Sequence, residues 1–454
     1  MKLNLTPPTS AQTAEATSPA WEANFFGSMP TSTQGKKKPS ILLCCEKYYG
    51  DDIMNITIKK GTASGDVSIP SSKSVAHRLL INAALADGET VINGLSLNED
   101  IGATVDCLRT LGAGIEYSEG RCTVHGMNGR GETPRRLYCR ESGSTLRFMI
   151  PLCLDSVKTE LYGSPRLIER PHSVYSEICE KNGFLWQSDG EKITVCGGLK
   201  AGRYEVPGNI SSQFITGLML ALPTLDGDSV IRLTTEPESL SYIDMTVASL
   251  AAFGIVIKKV SEREWFIKGS QIRRSPGVIN VEADESGVAF FGALNFIGGN
   301  VKLDNLNENS CQGDRVWNSL FPMLKSGKPE ISIKDCPDLG PILMALAACL
   351  NGVTLTDTAR LKIKESDRGN AMACELKKLG VKVTVEENTI TVDPSGIHAP
   401  NEALDGHNDH RIVMSLAVLL TRFGGRINGA QAVSKSMPQF FTMLNSLGIE
   451  TEEG

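Results

Sequence analysis

A buried helix with a polar first turn occurs six times in this sequence, and no other feature constrains the fold as strongly. The polar starts are SSKSVAHR, ESGSTLRF, NISSQF, DESGVAFF, PDLGPI and NDHRI, and each runs directly into an apolar stretch. A helix that is apolar on nearly all sides belongs in a protein core. Its first turn leaves unpaired N–H groups and a partial positive charge, which favour anions. The sequence therefore predicts six buried helices that hold an anionic ligand between their starts.

Amphipathic helices that end in glycine recur at a similar interval. The glycines are Gly112, Gly183, Gly254, Gly327, Gly380 and Gly448, at spacings of 71, 71, 73, 53 and 68 residues. Glycine after a helix is typical of a left-handed cap, and strand-like segments follow most of these positions. The pattern predicts a repeated unit of apolar helix, strand, amphipathic helix and strand pair. A period near 70 is longer than the ~20–50 residues of common solenoids. We therefore expect an α/β protein with two domains of three units, in which the fourth unit lacks one element.

The composition excludes several classes of protein. A net charge of −6 argues against nucleic acid or an acidic membrane surface as the main partner. No apolar run approaches the ~20 residues that a membrane-spanning helix needs. The 12 cysteines are scattered, with no CxxC pair and no Cys/His cluster at zinc spacing. This usage indicates reduced thiols, a cytoplasmic location and no metal site.

Residues 1–53 differ from the rest of the chain. The segment PPTSAQTAEATSPAW is rich in Pro, Thr, Ser and Ala and has no helical or strand period. Such a composition is typical of disorder. Met54 begins the segment MNITIKK, which has the alternation of a first strand. We therefore expect 1–53 to be a disordered extension and Met54 to be the physiological start.

Basic residues accumulate where the polar starts meet the apolar stretches or close by. They are Lys73, Arg78, Arg147, Arg166, Arg170, Arg368, Arg411, Lys364 and Lys435. A phosphate or carboxylate needs fixed donors, and arginine supplies a planar fork of them. Small residues that can donate hydrogen bonds to phosphate accompany them: Ser74, Gly143, Ser144, Thr145, Ser211 and Ser212. Taken alone, Ser144 and Ser211 are better explained as ordinary helix N-caps.

Two segments carry carboxylates that suit proton transfer. In KIKESDR, Ser366 is expected to cap a helix, with Lys364, Glu365 and Arg368 clustered around its first turn. A carboxylate among cations has a lowered pKa but can relay a proton to a substrate within reach. A surface salt bridge is the alternative for this motif alone. Asp338, at the start of an apolar helix, either caps that helix or accepts a proton from a substrate hydroxyl.

Nine separated motifs occur in the order expected for one enzyme family. They are PSSKSVAHR, ESGSTLR, GSPRLIERP, ISSQF, ESLSYIDMT, CPDLGP, KIKESDR, NDHR and SKSMPQFF. With them, the chain from about Met54 to its end resembles the EPSP synthase (3-phosphoshikimate 1-carboxyvinyltransferase) family. The resemblance implies transfer of the enolpyruvyl group of phosphoenolpyruvate to the 5-hydroxyl of shikimate 3-phosphate, with release of phosphate. It also implies the enolpyruvyl transferase fold, in which each of two domains contains three βαβαββ-like units around buried helices.

The resemblance assigns roles to individual positions. Residues expected to bind shikimate 3-phosphate are Lys73, Ser74, Arg78, Ser211, Ser212, Gln213, Ser239, Tyr242, Asp338 and Lys364. Residues expected to bind phosphoenolpyruvate are Lys73, Gly143, Arg147, Arg166, Gln213, Arg368, Arg411 and Lys435. Asp338 is expected to deprotonate the 5-hydroxyl and Glu365 to protonate C3, while Lys73 shares the proton transfer. No metal or organic cofactor is implied, and the family suggests a monomer.

The resemblance also sets domain boundaries. One discontinuous domain is expected from residues 54–71 plus 284–454 and the other from 72–283, with the active site in the cleft between them. Two alternatives are a UDP-N-acetylglucosamine enolpyruvyl transferase, which would have Lys-Asn in place of Lys73-Ser74, and an inactive binding homologue. The chain also departs from many family members. ESGST replaces an asparagine-containing form, and Arg360 stands where many relatives place asparagine, so Arg360 receives no predicted role.

Overall fold

The repeated unit predicted from the sequence is present in the computed structural model, which describes residues 54–127, 129, 131 and 133–454. The predicted extension at 1–53 lies outside the described residues. The strands, in chain order, are β1 (Asn55–Ile58), β2 (Ser64–Ser68), β3 (Glu89–Asn93), β4 (Gly114–Ser118), β5 (Arg121–His125), β6 (Arg135–Tyr138), β7 (Thr159–Tyr162), β8 (Leu185–Ser188), β9 (Lys192–Cys196), β10 (Arg203–Val206), β11 (Ser229–Leu233), β12 (Ile257–Ser261), β13 (Glu264–Ile267), β14 (Val278–Asn280), β15 (Asn300–Asp304), β16 (Glu330–Ser332), β17 (Val353–Thr356), β18 (Lys382–Val385), β19 (Thr389–Asp393), β20 (Leu404–Asp405), β21 (Gly425–Asn428) and β22 (Thr451–Glu453).

The helices alternate with these strands along the chain. They are α1 (Lys73–Leu85), α2 (Glu99–Thr110), α3 (Gly143–Leu152), α4 (Pro165–Ile168), α5 (Ser173–Asn182), α6 (Ser212–Ala221), α7 (Leu240–Ala252), α8 (Glu285–Phe296), α9 (Trp317–Ser326), α10 (Gly340–Cys349), α11 (Arg368–Lys378), α12 (His410–Phe423) and α13 (Phe440–Ser446). Short 3-10 turns at Gly313–Val316, Pro337–Leu339, Ala359–Ile363 and Ala430–Lys435 carry several of the residues discussed below.

Five four-stranded sheets share one strand order. The orders are β14-β3-β5-β4, β6-β7-β9-β8, β10-β11-β13-β12, β16-β17-β19-β18 and β20-β21-β1-β22. In each sheet the first two strands are parallel and the remaining pairs are antiparallel. The sixth sheet pairs β2 with β15 in parallel. Within the described residues this sheet lacks the two antiparallel strands that complete the other five, which confirms that the fourth unit lacks an element.

The sheet near the end of the chain is completed by its first described strand. β1 pairs antiparallel with β21, with Ile56 opposite Ile427, and with β22, with Ile56 opposite Glu453. Ile56 and Ile58 are buried in this position, so the segment that begins at Met54 contributes to the same core as the last helices.

The apolar side chains form two cores. Core A takes its buried residues from positions 76–281 and contains α1, α3 and α6. Core B takes its buried residues from positions 56–69 and 283–449 and contains α8, α10 and α12. These six are the helices with polar starts that the sequence analysis identified. Each is surrounded by apolar neighbours because its sequence is apolar on nearly all sides.

Side chains satisfy the first N–H groups of several buried helices. Ser72 caps α1, Ser142 caps α3, Ser211 caps α6 and Asp409 caps α12. Such caps each stabilise a helix by about 1 kcal/mol. The N-cap interpretation is therefore confirmed for Ser211 and is wrong for Ser144, because Ser142 caps α3 and the Ser144 hydroxyl accepts from Gln213 instead. Ser74 likewise follows the cap of its helix.

Most of the predicted glycine caps have the left-handed backbone that the sequence suggests. The φ angles are positive at Gly112, Gly183, Gly254, Gly380 and Gly448. At Gly327 the prediction is wrong, because its φ of 171° is extended backbone. The chain there continues directly into β16 and not into a hairpin, so no left-handed turn is required.

Close packing of α6 against its neighbours predicts the effect of one substitution. A Cβ atom at Gly217 would lie 2.3 Å from the Tyr175 hydroxyl and 2.6 Å from the Arg147 carbonyl oxygen. We expect Gly217→Ala to lower the free energy of unfolding by about 1–3 kcal/mol, because a fixed backbone atom must move. Urea unfolding measures the change. Gly198→Ala is the control, since nothing lies within 4 Å of its added Cβ. Equal stability of both variants would contradict the packing described.

Candidate functional site

The starts of all six buried helices line one cavity between core A and core B. The lining residues at these starts are Lys73 and Ser74 of α1, Gly143 and Ser144 of α3, Ser211, Ser212 and Gln213 of α6, Asp284 before α8, Asp338 before α10, and His410 and Arg411 of α12. This convergence confirms that the polar first turns of distant helices meet at one place. Their N–H groups and partial positive charges are directed at a common ligand site.

Cationic side chains outnumber carboxylates in the wall of this cavity. Eight lysines and arginines line it: Lys73, Arg78, Arg147, Arg170, Arg360, Lys364, Arg368 and Arg411. Four carboxylates line it: Asp100, Asp284, Asp338 and Glu365. Charge removed from water needs compensation, so an excess of buried cations favours a polyanionic ligand.

Two arginines show this excess most clearly. Arg78 donates only to neutral groups, the hydroxyls of Thr246 and Thr216 and two backbone carbonyls. Arg147 donates to Gln213 Oε1 at 2.7 Å and to a backbone carbonyl, and its Nε is buried without a partner. Burial lowers the pKa of Arg78 to about 10, and burial together with Arg170 lowers that of Arg147 to about 9. These guanidinium groups are desolvated and have no counter-ion among the described residues.

Asp338 is the carboxylate most surrounded by cations. It pairs with Arg368 at 2.7 Å, Arg411 at 3.0 Å and Lys364 at 3.1 Å. Burial alone would raise the pKa of Asp338, but Arg411, Lys364 and Arg368 together hold it well below the usual range. The side chain is therefore ionised in the ligand-free protein, as a general base must be.

Arg368 connects Asp338 to a second buried carboxylate. The guanidinium is 1% exposed and donates to Asp409, which is fully buried, at 2.9 Å and to Glu365 at 2.7 Å. Asp409 also caps α12 and accepts from Ser366 at 3.0 Å. The N-cap of α11 is therefore Asp367, whose carboxylate accepts from the Asn370 N–H, and the prediction of Ser366 as that cap is wrong.

Glu365 lies at the cavity wall beside several positive charges. Burial raises its pKa, but Arg368 and Arg170 outweigh this effect, and the pKa lies well below the usual range. Lys73, which pairs with Asp100 at 2.8 Å, contributes to the same field. Glu365 is consequently ionised before ligands bind. It can donate a proton only after anionic ligands have offset the surrounding cations.

Several buried hydroxyl groups form another part of the cavity wall. Ser239 is 1% exposed, has a left-handed backbone with φ of 55°, and accepts a hydrogen bond from Arg360. Arg360 also faces Glu238 at 3.6 Å, while its Nε is buried without a hydrogen-bond partner. Ser211 and Ser212 at the start of α6 are also buried there. Together these donors form a pocket suited to a phosphate group.

Gly143 lies close to two polar side chains at the start of α3. An added Cβ would lie 3.0 Å from Arg170 Nη1 and 3.6 Å from Gln213 Oε1. Gln213 itself donates to Ser144 Oγ at 3.0 Å and accepts from Arg147. This cluster joins the first turns of α3 and α6 across the cavity.

The cavity contains most but not all of the residues predicted to form the site. Those that line it are Lys73, Ser74, Arg78, Gly143, Arg147, Ser211, Ser212, Gln213, Ser239, Tyr242, Asp338, Lys364, Glu365, Arg368 and Arg411. Arg166 does not line it, because α4 presents this side chain to solvent. Arg170, which lies beyond the end of α4 at Ile168 and is partly buried, lines the cavity in its place.

Lys435 is buried beside the cavity but is not part of its wall. Its Nζ donates to the Asn408 carbonyl oxygen at 2.7 Å and pairs with Glu141, the first residue of the polar start of α3. Asn408 Nδ2 lies 3.4 Å from the same glutamate. Since Glu141 belongs to the core A side and Lys435 to the core B side, this pair connects the two sides of the cleft.

Sequence reasoning missed three kinds of lining residue. Arg170 was recognised as basic but not assigned, and Arg360 was set aside because it differs from many relatives. Asp100 and Asp284 received no predicted role, because an acidic residue at the start of a helix is ordinary. No local pattern identifies them, because their partners lie far away in sequence.

The described residues contain no cluster of three or more His, Cys, Asp or Glu side chains arranged to hold a metal ion. They also contain no helix with both the length and the apolar character to cross a bilayer.

Comparison with known families agrees with this geometry. A family model for EPSP synthase (3-phosphoshikimate 1-carboxyvinyltransferase) matches residues 58–326 and 316–444. A 3-phosphoshikimate 1-carboxyvinyltransferase from Clostridium kluyveri is 38% identical over 428 residues, which cover 88% of this chain and 98% of that protein. The protein of the same name from Clostridium acetobutylicum is 38% identical over 413 residues, covering 86% and 96%.

Solved structures show the same architecture. An EPSP synthase from Acinetobacter baumannii matches with a TM-score of 0.73 and 25% identity, covering 88% of this chain and all of that chain. The enolpyruvyl transferase NikO from Streptomyces tendae matches with a TM-score of 0.71 over 88% of this chain. At 13% identity, the second match bears on the fold alone.

The buried position of Asp409 predicts a strong effect on stability. We expect Asp409→Asn to lower the free energy of unfolding by about 3–5 kcal/mol, because the fully buried Arg368 loses a charged partner. Chemical denaturation measures the loss. Asp304→Asn is the control, since the Asp304 side chain is 44% exposed and its pair with Lys302 is a surface contact. A similar, small effect in both variants would show that the Arg368–Asp409 pair does not stabilise the fold.

Proposed function

The chain belongs to the EPSP synthase (3-phosphoshikimate 1-carboxyvinyltransferase) family, and from this premise we propose how its cavity residues divide the reaction between them. The enzyme transfers the enolpyruvyl group of phosphoenolpyruvate to the 5-hydroxyl of shikimate 3-phosphate and releases phosphate, a step of aromatic amino acid biosynthesis. The convergence of eight cations on one cavity supports the proposal most strongly, because both substrates are anions that must lose water together.

We propose that the hydroxyl-rich side of the cavity binds the phosphate of shikimate 3-phosphate. Ser211, Ser212 and Ser239 are buried there, and Arg360 and Lys364 supply positive charge. A phosphate oxygen can replace Glu238 as the partner of Arg360, whose Nε has no hydrogen-bond acceptor. Lys73, Ser74, Arg78, Gln213 and Tyr242 complete the surroundings of this substrate.

Phosphoenolpyruvate then occupies the other side of the cavity, near the starts of α3 and α12. We propose that Gly143, Arg147, Arg170, Arg368 and Arg411 bind its carboxylate and phosphate groups. Arg170 replaces Arg166 in this role because its side chain lines the cavity and that of Arg166 is exposed. Lys73 and Gln213 contact both substrates in this arrangement, and Lys435 approaches from behind the wall, where it pairs with Glu141.

The two carboxylates of the cavity perform the proton transfers in this proposal. Asp338, which three cations keep ionised, accepts the proton of the 5-hydroxyl as the oxygen attacks C2 of phosphoenolpyruvate. Glu365, protonated once both substrates are bound, delivers a proton to C3, with Lys73 as its neighbour. Loss of a proton from C3 and departure of phosphate from C2 then restore the double bond. The hydrogen removed in that step returns to Glu365, and the proton that Asp338 took from the 5-hydroxyl passes to the departing phosphate, so that Asp338 is ionised again.

The surrounding protein excludes water from this chemistry. We propose that residues 54–71 plus 284–454 and residues 72–283 act as two domains that close on the substrates. Contacts across the cleft, such as Ser434 Oγ to Glu99 Oε1 at 2.5 Å and Asn98 Nδ2 to the Ser436 carbonyl oxygen at 3.2 Å, support this proposal. We further propose a cytoplasmic monomer that needs neither metal nor nucleic acid.

A phosphate-release assay tests the acceptor and the residue roles together. We expect turnover with shikimate 3-phosphate and none with UDP-N-acetylglucosamine. Asp338→Asn and Lys73→Met should each lower turnover by at least about a hundredfold in protein that thermal melts show to be folded. Lys362→Met is the matched control, because Lys362 is exposed in the same segment as Lys364. Turnover with the nucleotide sugar alone would overturn the acceptor, and an active Asp338→Asn would overturn the base.

Comparison of two ligands tests the proposed role of Arg360. We expect Arg360→Asn to weaken binding of shikimate 3-phosphate by about 10- to 100-fold, which is typical of a lost hydrogen bond between charged groups. Binding of unphosphorylated shikimate should change by less than about twofold, because it lacks the group that Arg360 contacts. Calorimetry gives both dissociation constants, with Lys362→Asn as the control. Equal losses for both ligands would place Arg360 away from the phosphate.

A further inference from the structure

The Tyr242 hydroxyl lies between two carboxyl groups. Its oxygen is 3.2 Å from Asp338 Oδ2 and 3.2 Å from Asp314 Oδ2. A phenol has one hydrogen and can donate it to only one of these oxygens. If both carboxyl groups were ionised, one contact would bring two electron-rich oxygens together with no hydrogen between them. The geometry is satisfied when one carboxyl group holds a proton and donates it to the tyrosine oxygen.

The surroundings identify Asp314 as the protonated partner. Asp338 has three cationic partners within 3.1 Å, which stabilise its charged form. Asp314 is 5% exposed, and among the described residues it has no ion pair. Its other oxygen, Oδ1, is buried without a hydrogen-bond partner, which strongly disfavours a negative charge there.

Charged groups on all neighbouring elements act on Asp314. Those that face it are Tyr242 of α7, Asp284 before α8, Asp338 before α10, Lys364 after the turn at Ala359–Ile363, Arg411 of α12, and the thiol of Cys336. Glu285 of α8 instead accepts from Trp317, and Arg315, next to Asp314 in sequence, is directed to the Glu308 carbonyl. Burial, followed by the charge of Asp338, raises the pKa of Asp314 to about 7, although Arg411 acts in the opposite direction.

We propose that Asp314 is a positioning residue that carries a proton, donates it to the Tyr242 oxygen, and so directs the Tyr242 hydroxyl onto Asp338. The resulting chain runs from the Asp314 carboxylic acid through the tyrosine to the Asp338 carboxylate. It fixes the orientation of Asp338, and it keeps one negative charge out of a site that receives two anions. This inference rests on the proposed roles of Asp338 and of the cavity in binding shikimate 3-phosphate.

Loss of the Asp314 proton should weaken the binding of shikimate 3-phosphate. Below its pKa Asp314 is neutral, whereas above it a second carboxylate competes for the single hydrogen of Tyr242. The added negative charge also opposes the substrate phosphate in a low-dielectric site. Affinity for shikimate 3-phosphate should therefore fall as the pH rises through the pKa of Asp314, in addition to any effect of the ligand's own ionisation.

The Asp314→Asn substitution separates the effect of Asp314 ionisation on binding from the ionisation of the ligand. The amide of Asp314→Asn is nearly isosteric with the carboxylic acid, donates a hydrogen bond to Tyr242 as the acid does, and stays neutral at every pH. We expect wild type and Asp314→Asn to bind shikimate 3-phosphate equally at about pH 6. At about pH 9 the wild type should bind about tenfold more weakly than the variant. Comparison of the two proteins at each pH cancels the ionisation of the ligand.

Calorimetric titration across this pH range measures the ratio of dissociation constants, and thermal melts verify that the variant is folded. Asp335→Asn is the matched control, because Asp335 is an exposed carboxylate near the same wall and should follow the wild-type curve. Parallel curves for wild type and Asp314→Asn would overturn the inference. If the variant does not fold, carboxyl NMR titration of the wild type decides, and ionisation of Asp314 near its ordinary pKa of ~3.9 would overturn it.

The experiment also distinguishes this inference from the proposed function. A wild-type protein that bound no shikimate 3-phosphate at any pH would contradict the proposed function. Parallel pH curves in a protein that binds the ligand and loses activity on Asp338→Asn would contradict only the role of Asp314.

Discussion

The concentration of desolvated positive charge at the meeting point of six helix starts is the constraint on which the rest of this structure depends. Arginines such as Arg78 and Arg147 are almost completely buried, yet they donate to neutral groups and lack counter-ions. Burying a charge without compensation is costly, so the protein must hold these groups in place by packing around them. The two cores provide that support, because each places three apolar helices behind the polar first turns. In the proposed function, anionic substrates supply the missing compensation, so substrate binding should stabilise the protein.

Arg368 forms ion pairs with the carboxylates to which the proposed chemistry is assigned. It contacts Asp338, Glu365 and Asp409 at once, and its own burial fixes the position of all three. Two of these carboxylates are proposed to move protons, whereas Asp409 caps α12 and remains structural. The surrounding cations keep Asp338 ionised, as the proposed base must be. They also keep Glu365 ionised until ligands bind. A single electrostatic environment therefore imposes an order of events, in which substrate binding precedes the protonation of Glu365.

Repetition explains how one cavity can have so many donors. Each unit contributes a buried helix with a polar start, and five of the six sheets share one strand order. The units present similar first turns that carry different residues: a serine at the start of α6, a lysine at the start of α1, an aspartate before α10. The sheet of the fourth unit contains only β2 and β15, and the turn at Gly313–Val316 that follows β15 carries Asp314, which contacts Tyr242.

The sequence alone determined the six units, their buried helices, the basic and hydroxyl residues at their starts and the family to which the chain belongs. These features are local: apolar periodicity, capping residues and motif order are properties of neighbouring positions. The tertiary structure decided which side chains face the cavity. Arg166 and Arg170 are one helical turn apart in a basic motif, and only the tertiary structure shows that Arg170 lines the cavity. The role of Arg360 and the contact between Asp314 and Tyr242 likewise depend on partners about 70 or more positions away. Electrostatic coupling depends on distance in space and on burial, and neither quantity can be read from positions along the chain.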